Sequence, residues 1–289
     1  MSTIATPPLT REPASSATTT THARSRASIV TAALWHTLRR DIVVTMREII
    51  PFLVQTLVMP LCLLLVFGRI MPGVGATHQA YPASLLPGVI AFSIFQGSIL
   101  AITLSLILDL GAIREIDDRL LAPLPVSLVA IEKVFFSAIR AMFAGALTFL
   151  LAYWILGSGY QVRGDELLPL IGIMFLYALS SSALGLIIGA ALSPDKIYLL
   201  FTLVFSATLY TGCVYFSWSS ISSIKVLQII TLFNPLTYAS EGLRYAMMPL
   251  TNGHASATLP IGWVVLGLSV SFFIFLIIGI QTFHKRVIS

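Results

Sequence analysis

The chain has 289 residues, of which 57% are hydrophobic and only 10% are charged. A soluble globular chain carries about 25% charge, so this composition, with a mean hydropathy of +0.92, excludes a water-soluble fold. The net charge of +5 is not gathered into basic clusters interleaved with aromatics, which excludes nucleic acid as an expected partner and points to basic residues facing an anionic membrane leaflet.

Residues 1–28 are rich in Ser, Thr, Ala and Pro and lack the apolar core of a signal peptide. They read as a disordered cytosolic tail ahead of one membrane domain, 29–289. Over 32–48, Leu34, Leu38, Ile42 and Met46 form an apolar stripe that Arg39, Arg40, Asp41, Arg47 and Glu48 avoid. The pattern predicts an amphipathic helix lying in the membrane surface. Long charge-free runs follow, and about 20 apolar residues suffice to cross a bilayer. Six transmembrane helices are expected, at about 49–70, 85–108, 130–156, 167–192, 197–216 and 260–281, so the fold class is an all-α integral membrane protein. Pro51 and Pro60 are expected to bend the first span, which neighbouring helices make tolerable. Cys62 and Cys213 lie within apolar runs and read as packing residues.

Between the second and third spans, Asp109–Arg119 concentrates charge that the flanking sequence lacks. As a helix over 112–122, Ile113, Ile116 and Leu120 share one face. Arg114, Glu115, Asp117, Asp118 and Arg119 cover the rest, with Arg114/Asp118 and Glu115/Arg119 as i,i+4 pairs. Gly111 releases the chain from the preceding helix, and Pro123 and Pro125 stop this one. Such a short amphipathic helix is either a solvated loop or a docking element for a soluble partner.

The fourth span is rich in small residues, and Ser181, Gly185 and Gly189 have the spacing that lets another helix come close. That helix belongs either to the same bundle or to a second subunit. The segment 224–248 holds two apolar stretches, each too short to cross, meeting at the turn dipeptide Asn234-Pro235. A re-entrant helical hairpin fits this pattern; an outer loop with a surface helix is the alternative. Glu241 and Arg244 stand i,i+3 on the returning helix and can pair there. Tyr210, Tyr215, Trp218 and Trp263 are candidates for an outer aromatic belt. Near the spans, nine basic residues fall on the side of the 109–125 loop and four on the other, which places both termini in the cytoplasm.

Several chemistries are missing from the sequence. None of the lysines (Lys133, Lys196, Lys225, Lys285) follows a glycine, so no P-loop for ATP exists in this chain. The histidines and acids show no metal-ligand spacing, so neither a catalytic nor a cofactor or metal site is expected. No expected span carries an interior carboxylate of the kind ion-coupled carriers use. Arg140 is the one charge well inside a span; snorkelling to the inner interface is preferred over a role in holding an anion. Asp117-Asp118 faintly echoes the aspartate-rich helices of membrane prenyltransferases, but a second acidic motif is absent.

These features together resemble the permease subunit of an ABC-2 type exporter, the family of drug, lipid and polysaccharide export permeases. The resemblance runs from about Ala32 to the C-terminus. It rests on the element order, on Arg119-Leu-Leu-Ala-Pro-Leu-Pro125 closing the charged helix, and above all on Phe233-Asn-Pro-Leu-Thr-Tyr-Ala-Ser-Glu-Gly-Leu-Arg-Tyr-Ala-Met247. Residues 115–118 read Glu-Ile-Asp-Asp, a departure from the Glu-x-x-x-Gly of many relatives. The resemblance implies a second permease subunit, as a homodimer or heterodimer, and two copies of a separate ABC ATPase that binds ATP and Mg. It makes 112–122 the coupling helix, with Ile113, Arg114, Glu115, Ile116, Asp117, Asp118, Arg119 and Leu120 as its contacts. It makes 224–248 part of an outer gate, with Asn234, Pro235, Tyr238, Glu241 and Arg244 as its key residues. Phe92, Phe95, Gln96, Phe201 and Phe205 would line a route for an apolar or amphipathic molecule. The implied location is the cytoplasmic membrane of a prokaryote, in contact with lipid. A secondary carrier is the alternative, and a membrane prenyltransferase a more distant one.

Overall fold

The computed structural model describes residues 39–43, 45–47, 49–78, 81–110, 126–157, 166–192, 197–248, 250–251, 254–255 and 259–288. The expected tail 1–28, the start of the surface helix 32–48 and the charged helix 112–122 lie outside these residues. The described part of the surface segment, 39–43 and 45–47, is helical.

Turns and loops aside, the described chain is helical, with one two-residue antiparallel pair, β1 (Leu250–Thr251) with β2 (His254–Ala255). Helix α1 runs over Ile49–Gly73, α2 over Tyr81–Leu110, α3 over Val126–Leu156, α4 over Leu167–Ala191 and α5 over Ile197–Thr211. Two short helices follow, α6 (Lys225–Thr231) and α7 (Pro235–Met247), and then α8 (Ile261–Ile288). Five of these, α1, α2, α3, α4 and α8, are long and apolar enough to cross a membrane. The expected fifth span is the exception. Helix α5 has 15 residues, about 22 Å at the helical rise, and its chain leaves the helix at Gly212, within the stretch expected to be span.

Helix α2 is the axis of the bundle. Its apolar window is 78% buried, against 28% for α1 and 11% for α8, and Leu85, Val89, Ile90, Ile94, Ile99 and Ile102 are wholly enclosed. The outer helices carry apolar side chains on their exposed faces, including Val54 and Val58 of α1, Ile139 and Leu150 of α3, and Phe273 and Ile277 of α8. In water so much exposed apolar surface is untenable. In a bilayer it is the surface that lipid covers.

The small residues of α4 serve this bundle. A side chain at Gly185 would run into Ile102 of α2, and one at Gly189 would stand 2.8 Å from Leu106. Ser181 meets the same helix, donating to Ser98 Oγ at 3.0 Å. The close-packing partner is therefore α2 of the same chain. In α1 the α-helical turns give way to a π-helix at Leu64–Ile70, one turn beyond Pro60.

Arg140 takes a position the sequence does not foretell. Its guanidinium lies 4.4 Å from the centre of the Phe52 ring of α1, a cation–π contact between neighbouring spans.

Candidate functional site

The end of α5 poses a backbone problem. The last carbonyls of any helix have no partner within it, and a carbonyl left bare in a membrane protein's interior costs several kcal/mol. Here the chain continues from α5 as an irregular run through Gly212, Cys213, Val214 and Tyr215, which adds further unpaired carbonyls. Cys213 takes φ +52°, a left-handed conformation that residues with a Cβ seldom adopt. It turns the chain sharply, and both Cys213 and Val214 are buried.

The polar residues of α7 answer this run one by one. Asn234 Nδ2 donates to the Thr208 carbonyl at 3.0 Å and to Thr211 Oγ1 at 2.9 Å. Thr237 Oγ1 lies 3.3 Å from the Thr211 carbonyl, with its one proton directed to the nearer Thr231 carbonyl, and Ser240 Oγ donates to the Gly212 carbonyl at 3.0 Å. Arg244 Nη2 donates to the carbonyls of Cys213 at 2.7 Å and Val214 at 3.2 Å. Tyr81 of α2 completes the series, its hydroxyl donating to the Tyr215 carbonyl at 3.0 Å. Positions 234, 237, 240 and 244 recur every three or four residues, so they form one face of a helix.

Helix α7 starts where it does because Asn234 is its N-cap: its side-chain oxygen accepts from Leu236 N at 3.0 Å, and Pro235 fits the first helical position. Ten of its thirteen residues are buried. Helix α7 is thus packed into the bundle rather than lying on its surface. The ring of Tyr238 lies over Gly267 of α8, where a Cβ would stand 2.7 Å from it.

Glu241 and Arg244 are the charges of this face, 0% and 1% exposed in their side chains, with Nη1 to Oε1 at 2.6 Å. Each is also tied to backbone. Glu241 Oε1 accepts from Trp218 N at 3.0 Å, at the start of a short 3-10 turn (Trp218–Ile221). Arg244 Nε donates to the Ser84 carbonyl of α2 at 3.1 Å. A buried ion pair offsets its desolvation cost only when further hydrogen bonds satisfy both partners, and here they do. Arg244 thus joins α2, α7 and the chain leaving α5 in one cluster. The 3-10 turn is held in turn to α6: Trp218 Nε1 donates to the Gln228 carbonyl at 3.2 Å, and Thr237 Oγ1 reaches back to the Thr231 carbonyl at 2.6 Å.

Beside this cluster lies a cavity of about 330 Å³, lined among others by Phe95, Tyr177, Thr208, Phe233, Asn234 and Phe275. Of the residues expected along a route, Phe92, Phe95 and Phe205 come together, Phe95 and Phe205 edge-to-face with centroids 5.4 Å apart. Phe92 and Phe95 are each 2% exposed; in this conformation they pack. Gln96 turns elsewhere, its Nε2 donating to the Gln55 carbonyl of α1 at 2.8 Å. The side chain of Phe201 lies outside the described residues, as do Ile113, Arg114, Glu115, Ile116, Asp117, Asp118, Arg119 and Leu120.

Thr237, Ser240, Tyr81 and Ser84 were not among the expected site residues. A signal for the first two exists in the sequence, since Asn234, Thr237, Ser240, Glu241 and Arg244 all fall on one helical face of an otherwise apolar segment.

Residues 32–248 match the family described as ABC-2 type transporter. The chain is similar to the Inner membrane transport permease YadH of Escherichia coli (strain K12), with 26% identity over 208 residues, or 69% of this chain and 78% of that protein. It is equally similar to the protein of the same description from Shigella flexneri. With the family matched over most of the chain and its signature segment built into the buried cluster, this multi-pass membrane protein belongs to the ABC-2 type transporter family and is a transport permease.

Proposed function

We propose that the chain is the membrane-spanning subunit of an ATP-driven exporter in the inner, cytoplasmic membrane of a prokaryote, moving an apolar or amphipathic molecule outward. The observation that carries this reading is the match to the ABC-2 family over 32–248 in a chain whose sequence has no P-loop. Energy then has to come from a separate ATPase, two copies of which bind ATP and Mg on the cytoplasmic side of a permease dimer. Six spans, with α5 as the short fifth, put both termini in the cytoplasm. The lining of the 330 Å³ cavity, rich in Phe and poor in charge, supports an apolar or amphipathic substrate.

In this reading the hairpin of α6 and α7 is the outer gate and the charged helix 112–122 is the coupling helix. ATP binding shifts an equilibrium between inward-open and outward-open forms, which requires contacts that differ between them. The side chains of Asn234, Thr237, Ser240 and Arg244 are the contacts available to change at the outer end. They move as one unit, because they share a helix.

The orientation has a direct check. Single cysteines placed at Ser127 and His284 are expected to react only with reagents that enter the cytoplasm, and one at Gly253 only with impermeant reagents outside. Labelling of Ser127→Cys from outside would overturn the topology and the coupling assignment with it.

The coupling helix is tested by co-purification of the ATPase, normalised to permease abundance in the membrane. Interface anchors are few, and truncating one costs about 2 kcal/mol or more. Ile116→Ala and Leu120→Ala are therefore expected to weaken association by about tenfold or more. Reversal of Asp117 and Asp118 to Lys is expected to do the same through misplaced charge. Wild-type recovery of the ATPase together with wild-type export in all three variants would sink the assignment. Transport by the purified chain without any ATPase would instead favour a secondary carrier.

A further inference from the structure

A second polar feature lies at the edge of the bundle, away from the α7 cluster. Arg69 sits in the π-helical turn of α1, four residues before the end of that helix at Gly73, or about 6 Å along its axis. It lines an open groove of about 630 Å³ between α1 and α3, together with Leu65, Ile70, Gly73, Val74, Trp154 and Ile155. Among the described residues that line the groove, none is acidic. Among the described residues no carboxylate reaches Arg69 within ion-pair distance. Its one hydrogen bond is from Nη1 to the Ile155 carbonyl of α3, at 3.1 Å.

An exposed guanidinium has five N–H donors, and one carbonyl uses little of that capacity. The rest of the wall is apolar and bare: Trp154 is 77% exposed, Val74 73% and Ile70 47%. Trp154 stands two residues from the end of α3 at Leu156. Tryptophan at the end of a span marks the headgroup level of a bilayer, where its ring meets both chain and water. The two helices thus bring a cation, an interfacial tryptophan and an aliphatic trough to the same level at the same edge.

We infer that this groove is a binding site for one anionic phospholipid, whose phosphate is held by Arg69 and whose acyl chain runs inward along Leu65 and Trp154. Charge complementarity selects the headgroup. Arginine matches phosphate geometry with paired donors. A zwitterionic headgroup brings a cation of its own, for which the described lining offers no carboxylate, whereas a headgroup with net negative charge leaves nothing unpaired. Free phosphate shares the headgroup chemistry but not the chain that the apolar wall accommodates. The inference does not rest on the export reading, because it needs neither the ATPase nor a substrate.

Trp154 itself is the reporter. The full-length chain with Trp35, Trp218 and Trp263 each changed to Phe is reconstituted into vesicles. Quenching of Trp154 by dibrominated phosphatidylglycerol is compared with quenching by dibrominated phosphatidylcholine at equal mole fraction. The expected result is a preference for the anionic lipid of about fivefold, the size one basic residue confers at a membrane surface. Excess inorganic phosphate is expected to leave it unchanged. Arg69→Gln is expected to abolish the preference while quenching by phosphatidylcholine, which reports insertion, stays the same. Val74→Glu, at an exposed position, is expected to abolish it by neutralising the site, and decides the matter if Arg69→Gln does not fold. Equal quenching by both lipids in the unaltered groove, displacement by inorganic phosphate, or a preference that survives either substitution would each overturn the assignment. None of these results bears on whether the chain is an exporter.

Discussion

Arg244→Ala is expected to lower the melting temperature of the permease sharply. The substitution removes donors to the carbonyls of Ser84, Cys213 and Val214 and strips Glu241 of its partner in a site where that side chain is 0% exposed. Removing one member of a buried pair costs about 3–5 kcal/mol, a large share of a total stability of about 5–15 kcal/mol. Arg244→Lys is expected to do little better, since one ammonium cannot spread over acceptors that a planar fork reaches together. Glu241→Ala leaves Arg244 its carbonyls and is expected to cost less than Arg244→Ala. Adding Glu241→Ala to Arg244→Ala is expected to bring no further loss, because the carboxylate that went unpaired is then gone. The measurement is thermal unfolding in detergent of both single variants and the double. A melting temperature for Arg244→Ala equal to wild type, or a coupling well below 1 kcal/mol as for an exposed pair, would show that the cluster does not hold this end of the bundle together.

The second large effect is expected at Gly88. A Cβ there would stand 2.7 Å from the Cα of Val214 and overlap its carbonyl oxygen. Those atoms are backbone, fixed by the same hydrogen bonds from Arg244, so they cannot swing aside as the tip of a side chain would. Gly88→Val is expected to push the 213–215 run off α2 at a cost of about 3 kcal/mol, the upper end for overpacking. Gly73→Val offers the control, since nothing lies within 4 Å of a Cβ at that position. Equal yield and equal melting temperature for the two variants would mean that the run after α5 is not clamped against α2.

Much of the bundle was legible because a bilayer imposes a simple demand: long runs without charge become spans. The boundaries of α4 and the start of α8 follow from this alone. The start of α7 was legible for another reason, since Asn234 caps it and Pro235 fits its first position. The Glu241–Arg244 pair followed from i,i+3 spacing. The partners of α7 were not legible. A sequence shows that Thr237, Ser240 and Arg244 share a face, but their acceptors are main-chain carbonyls, and every residue type has a carbonyl. The same limit applied to the small residues of α4, whose spacing announces a close neighbour without saying which helix it is. The partner of Arg140 was not legible, because the ring that receives it, Phe52, belongs to another helix. The aromatics Phe92, Phe95 and Phe205 did gather, but a static packed cluster and a route in its closed form use the same residues.

The shortness of α5 has an electrical consequence. The described part of α5, Ile197–Thr211, covers about 22 Å, roughly 8 Å less than the hydrocarbon thickness of a bilayer; in the gate reading proposed above, the α6–α7 segment fills the remaining layer. In that reading, insulation of the membrane at that point depends on a separate piece of chain, fastened by side-chain hydrogen bonds. Displacing the hairpin would thin the dielectric barrier locally, admitting water partway into the bilayer while the helices that carry the load of the bundle stay where they are. A leak of small ions, smaller in the resting permease and larger in variants that loosen the hairpin, would be the electrical signature of that arrangement.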